Sequence, residues 1–233
     1  QKGQVQVTAD IAKSRVGFKE EDNVVYAFWQ DGDAITLNTP SQGLLNYTAA
    51  VPDDNSTAVV FSPQDIALKD VDAEKVYACY PEATIVDGTV TLPATDVWTD
   101  SRPLPFAYAV SSIQESKVSL SFQHTYAFLK LTLSDKQLEN VVSTDGDKSV
   151  HRVLVKSSSD FLGVLSGYFN FEDRSVTIVH GTNEIELRLS TPFNPAEETE
   201  RNVYIPVLPI EEGVTISISL IHDHEGGQDV WAN

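Results

Sequence analysis

The densest chemistry in the chain lies near its C-terminus, in His222-Asp223-His224-Glu225. Residues i and i+2 of a strand share a face, so the His222 and His224 imidazoles could jointly hold a transition metal. No third ligand stands at a recognisable spacing. A strand running out into the acidic turn His224-Glu225-Gly226-Gly227-Gln228 accounts for the same residues with fewer assumptions. Asp31-Gly32-Asp33 and Asp145-Gly146-Asp147 look like pieces of calcium loops, yet neither continues into the further oxygen ligands and twelfth-position Glu of such a loop. Asp-Gly between strand-like runs reads as a tight hairpin turn, because glycine tolerates positive φ. No metal and no cofactor are expected.

Nucleophilic arrangements are absent from the sequence. Cys79 sits in the apolar-aromatic stretch Tyr77-Ala78-Cys79-Tyr80-Pro81, where an inert buried thiol is the default. There is no Gly-x-Ser-x-Gly, no phosphate-cradling glycine loop and no dinucleotide fingerprint. The 34 Asp and Glu residues contain no pair singled out for glycoside chemistry, and a solvated acidic surface accounts for them. Among the tryptophans, Trp29 follows the alternating Val25 and Ala27 and reads as core or half-core. Trp98, in the polar Thr95–Arg102 stretch, is the candidate for stacking on a sugar ring. Asn46-Tyr47-Thr48 and Asn55-Ser56-Thr57 match the glycosylation pattern and bear on function only in a host with that machinery. No catalytic residue is assigned, and the chain is read as a non-enzyme.

The composition narrows the partners. Against 34 acidic residues stand 16 Lys and Arg, a formal net charge of −18 over 233 residues. Such a chain repels nucleic acid and anionic membrane surfaces at long range. One Cys makes no internal disulfide and no multi-cysteine zinc site. No apolar run approaches the ~18–20 residues of a membrane-spanning helix. An apolar share of 41% is enough to build packed cores.

Alternation with a period of two dominates the local pattern, the mark of strands with one buried face. Val214, Ile216, Ile218 and Leu220 fall on one side of 214–222, and Ile185, Leu187 and Leu189 on one side of 184–189. Val118, Leu120 and Phe122 share a parity that Leu129, Leu131 and Leu133 do not, so a bulge or a crossover between sheets is expected near His124–Tyr126. Val5, Val7, Ala9 and Ile11 alternate as a first strand behind a polar tether. Helical signals are confined to a turn or two at Ser62–Leu68 and Ser134–Val142, with Ser134 as N-cap. The fold class is all-β, and many short strands between Gly, Pro, Asn and Asp clusters read as antiparallel sandwiches. A boundary in the stretch 101–116 divides the chain into an N-terminal sandwich, 1–113, and a C-terminal one, 114–233, with little length left for closing strands. Pro103 and Pro105 place the Phe106–Val110 strand at an edge or between domains, and Pro206 and Pro209 make Val203–Ile210 an edge strand or an irregular one.

The order of several landmarks resembles the fimbrillin-like (Mfa-like) surface proteins of Bacteroidales. These landmarks are Ser14-Arg15 behind a short first strand, Trp29-Gln30-Asp31-Gly32-Asp33-Ala34-Ile35, and Val76-Tyr77-Ala78-Cys79-Tyr80-Pro81. Two more follow: Phe122-Gln123-His124 with Ala127-Phe128-Leu129-Lys130-Leu131, and Tyr204-Ile205-Pro206-Val207-Leu208-Pro209. The resemblance implies two tandem transthyretin-like β-sandwich domains in a cell-adhesion protein, a fimbrium (pilus) subunit or a pilus anchor. It implies a lipoprotein precursor exported to the cell outer membrane, whose only tie to a membrane is that lipid anchor. Partners are then other pilus subunits or host and bacterial surface ligands. It also implies maturation by cleavage after an arginine, at the position of Arg15, which frees a groove for a strand donated by a neighbouring subunit. Beyond 214–222 only Asp223–Asn233 remains, little room for the C-terminal strands a polymerising subunit would donate, so a truncated chain, a tip or anchor protein and a member that does not polymerise all stand as alternatives. Two other classes stand beside this reading: a surface carbohydrate-binding protein using Trp98, and an acidic secreted hydrolase.

Overall fold

The computed structural model describes residues 5–11, 17–21, 24–50, 58–69, 73–101, 105–158, 161–210 and 212–232. Arg15 lies outside them. Among the described residues the chain is nearly all β, with 21 strands and one helical turn, Asp135–Leu138. That turn sits where Ser134 was expected to cap it, and the Gln137 side chain accepts a hydrogen bond from the Ser134 N–H at 3.2 Å. The second expected turn does not form. The strand Ala58–Pro63 takes the first residues of Ser62–Leu68, and bends without helix follow.

Two compact units divide the chain, and each is assembled from three segments. The first takes Gln1–Leu92, Pro103–Thr125 and Gly167–Thr177; the second takes Pro93–Arg102, Tyr126–Ser166 and Ile178–Asn233. A single cut at 113/114 does not reproduce this division. The strand Lys117–His124 belongs to the first unit and Ala127–Ser134 to the second. The parity change at His124–Tyr126 is therefore the point at which the chain leaves one core for another.

In the first unit the strands close into a ring. Its order is Gln6–Ile11, Ala58–Pro63, Gly43–Ala50, Ala34–Thr39, Val76–Tyr80, Ala107–Ser111 and Lys117–His124. The last of these pairs parallel with the first, from Gln6 opposite Lys117 to Ile11 opposite Phe122. The seven strands form a barrel-like sheet, and closure leaves each of them with a ladder on both sides. Ala107–Ser111 is central, between Val76–Tyr80 and Lys117–His124, and not at an edge. Pro105 precedes it and so takes no place in its ladder. Alternating side chains Val7, Ala9, Phe61, Ile35, Leu37, Leu120 and Phe122 are all under 4% exposed. Trp29, fully buried, meets Phe61, Tyr80 and Phe122 edge-on at 5.0–5.6 Å. Val76–Tyr80 is buried on both faces, its outer side partly covered by Phe171 at 5.0 Å from the Tyr77 ring.

The second unit has a five-stranded sheet in the order Val97–Thr99, Glu184–Phe193, Val150–Ser157, Ile216–His224 and Gly227–Ala232. A two-stranded ladder, Ala127–Ser134 with Glu200–Val207, supplies the other side of its core. Val153, Val155, Leu187 and Leu220 meet Leu133, Val203, Ile205 and Val207 there. Among the described residues Glu200–Val207 pairs with one strand alone, which is how Pro206 is tolerated.

Candidate functional site

In the second unit, one face of Ile216–His224 carries Ile216, Ile218 and Leu220 into the core, and the same parity brings His222 in behind them. His222 is 1% exposed. Its Nδ1 lies 2.7 Å from the Ser149 carbonyl, and its Nε2 lies 3.1 and 3.2 Å from the two Asp145 carboxylate oxygens. Carbonyl and carboxylate oxygens only accept, so both ring nitrogens donate and neither offers a lone pair to a metal. His224 stacks on His222 at 5.9 Å and lies 3.7 Å from Asp229. Among the described residues no group of three His, Cys, Asp or Glu side chains is placed to hold a metal ion.

The surroundings of His222 come from three further elements. A register shift between Val150 and Arg152 marks a bulge at His151, whose ring centres 5.1 Å from that of His222. Trp231, on the neighbouring edge strand, lies parallel to His222 within 8° at 6.0 Å. The loop 143–149 closes from the other side. Within it Asp145 accepts from the Ser143 hydroxyl (2.8 Å) and the Asp147 N–H (3.0 Å), and Asp147 accepts from the N–H and hydroxyl of Ser149 (2.9 and 2.8 Å). The bonds from Ser143, Asp147 and His222 hold the Asp145 carboxyl down at about 2. Burial opposes a charge on His222, but the Asp145 carboxylate, the Ser149 carbonyl and the charge of Asp147 outweigh it and raise the imidazole above its ordinary range.

Beside this cluster Arg152 reaches Asp223, Glu186 (3.0 Å) and Gln228 (2.6 Å) with its guanidinium fork. Asp229 is held by the Thr144 N–H and hydroxyl at 2.7 and 2.6 Å. The result is a set of paired charges tying loop to sheet. Within it the Ser143, Ser149 and Thr144 hydroxyls donate to the Asp145, Asp147 and Asp229 carboxylates.

Trp98 is not where the polar Thr95–Arg102 composition placed it. Its three-residue strand, Val97–Thr99, pairs parallel with Glu186–Arg188 and turns the indole into the core at 3% exposure. Buried among Leu187, Leu133 and their neighbours, it has no face for a sugar. Trp29 is core, as its alternation indicated. Cys79 is fully buried, and burial pushes its thiol up to about 12.

Among the described residues neither Asp-Gly-Asp segment joins two strands that pair with each other, so neither is the expected hairpin turn: Asp31-Gly32 forms a turn and Asp145-Gly146 a bend. Asp33 N–H donates to the Gln30 carbonyl at 3.1 Å across Gly32, whose φ is +87°. Burial raises the Asp33 carboxyl to about 6, against hydrogen bonds from the Gln30 N–H and the Tyr80 hydroxyl. In Asp145-Gly146-Asp147 the Gly146 φ is +86°. What the sequence reading missed is that this second segment is the partner of His222. The available signal was parity, which puts His222 on the same face as Leu220; no spacing links positions 145 and 222.

No known family pattern matches the chain, and no curated protein matches it. Several solved structures are similar, among them the following two. One is a candidate cell adhesion protein from Bacteroides thetaiotaomicron, with a TM-score of 0.43 and 13% identity, covering 97% of this chain and 83% of that one. The other is a candidate adhesin from Bacteroides ovatus, with a TM-score of 0.39 and 9% identity, covering 99% of this chain and 77% of its own.

Proposed function

We propose that this chain is a non-enzymatic adhesive or fimbrial subunit of a bacterial cell surface, assembled by strand donation after cleavage behind its first strand. The two units then correspond to the two transthyretin-like sandwiches of the fimbrillin-like proteins. A lipid anchor on the precursor ties it to the outer membrane, and its partners are further subunits or surface ligands. The order of the five sequence landmarks supports this reading.

The observation that carries it is the place of Gln6–Ile11. This strand closes the ring by pairing with two neighbours, antiparallel with Ala58–Pro63 and parallel with Lys117–His124. Val7 and Ala9 are 1% and 2% exposed. Withdrawing the strand would open two ladders at once and leave an apolar slot between them, the kind of template another strand refills. A recess of about 260 Å³ already lies at its start, beside Val5, Val7, Tyr47 and Phe61. Arg15 follows this strand by four residues.

N-terminal sequencing of protein recovered from the cell surface tests the reading. Assembled material should begin at Val16, and Arg15→Ala should leave the chain unprocessed and unassembled. Assembled fibres that begin upstream of Val16 would overturn it. The carbohydrate-binding alternative loses its platform with the burial of Trp98.

A further inference from the structure

The bonding around His222 is that of a charged ring. Each of its nitrogens faces an oxygen that can only accept, at 2.7 Å for Ser149 and 3.1–3.2 Å for Asp145. A neutral imidazole would set one nitrogen lone pair against an oxygen lone pair inside a site that is 1% exposed. The other titratable and charged groups around the ring come from every element packed on it. Asp145 and Asp147 stand on the loop, His151 and Arg152 on Val150–Ser157, Asp223 and His224 on its own strand, and Asp229 on Gly227–Ala232. Arg152 is committed to Asp223 and Glu186, so the carboxylates dominate what His222 feels. The parallel Trp231 ring adds a π-face to the same cation.

We propose that His222 is a proton-operated latch, which as imidazolium clamps the Asp145–Ser149 loop onto the end of the second unit's sheet and on losing its proton lets that loop go. The loop has two other fastenings, Thr144 to Asp229 and Lys148 Nζ to the Leu138 and Glu139 carbonyls. The Asp145–His222 bond is the one among them that depends on an imidazole proton. It also fixes the Asp145 oxygens that organise the Asp147 N–H behind them. The sign follows from the two groups. The folded imidazole binds its proton more tightly than a free histidine, so the clamp is complete below the ordinary value of about 6.5 and is lost as pH rises through the higher folded value. On the acid side it weakens only as pH falls below the ordinary Asp range toward about 2.

A histidine-resolved NMR titration, with amide exchange protection of Thr144, Asp147 and Ser149 measured at each pH, tests this. His222 should titrate above the free-histidine value. Protection of the Asp147 and Ser149 amides, corrected for intrinsic exchange, should fall about tenfold or more in step with it while the Leu220 amide stays protected. Asp145→Asn should lower the His222 midpoint by about one unit or more and abolish the step in loop protection. The wild-type titration decides by itself: a His222 that titrates at or below the free value, or a loop whose protection ignores its titration, overturns the latch.

Discussion

Trp98 and His222 show how much a single side chain's role depends on which face of a strand it occupies. Trp98 lies among Thr95, Asp96, Thr99 and Asp100, a composition that reads as loop, and its three-residue strand is too short for alternation to register. Its burial is set by a parallel pairing with residues some ninety positions away, which no local pattern reports. Because it fills the second unit's core, Trp98→Ala should cost about 3–5 kcal/mol in denaturant unfolding, the usual range for deleting a buried aromatic. A sugar-stacking indole would instead leave stability within about 0.5 kcal/mol and remove binding. His222 was partly legible. The run Ile216, Ile218, Leu220 fixes the buried face, and His222 continues it, so a buried and partnered histidine could be read from parity alone. Its partner could not, because Asp145 belongs to an Asp-Gly-Asp segment whose composition reads fully as a turn.

Strands were the most legible level of the structure. Lys117–His124 and Glu184–Phe193 each contain the alternating run that announced them, and Ile216–His224 takes up the run 214–222 from Ile216 onward, leaving Val214 outside the strand. The parity change between Phe122 and Leu129 was also real, and its cause is a change of unit at Thr125/Tyr126. Ring closure was not legible, because the parallel pairing of Gln6–Ile11 with Lys117–His124 joins segments 111 residues apart. Nor was the interleaving of segments, since Pro93–Arg102 and Gly167–Thr177 cross to the other unit without any composition shift. The proline-rich stretch expected to mark a domain boundary merely leads into a central strand of the first unit. A split at 113/114 therefore separates Gln6–Ile11 from the Lys117–His124 strand that it pairs with. Residues 1–113 and 114–233 expressed singly should each lack cooperative unfolding by circular dichroism, and co-expression should restore it. Two independently cooperative fragments would contradict the assignment of segments to units.

For the molecule as a whole, the net charge of −18 sets the conditions under which copies of this chain can meet. Like-charged subunits repel over the Debye length, about 10 Å at 0.1 M salt, so assembly by strand exchange should accelerate with ionic strength. Charge of this size also keeps exposed strand edges from pairing indiscriminately, as the proposed strand exchange would require. The central claim is that Gln6–Ile11 is a placeholder for a strand from another copy. The most direct measurement trims purified protein with an arginine-specific protease and follows its size by SDS gel and light scattering, with and without excess peptide spanning residues 5–11. The account predicts cleavage after Arg15, SDS-resistant multimers, and their suppression by the peptide. Protein that is cut at Arg15 and remains monomeric in the absence of peptide would contradict it.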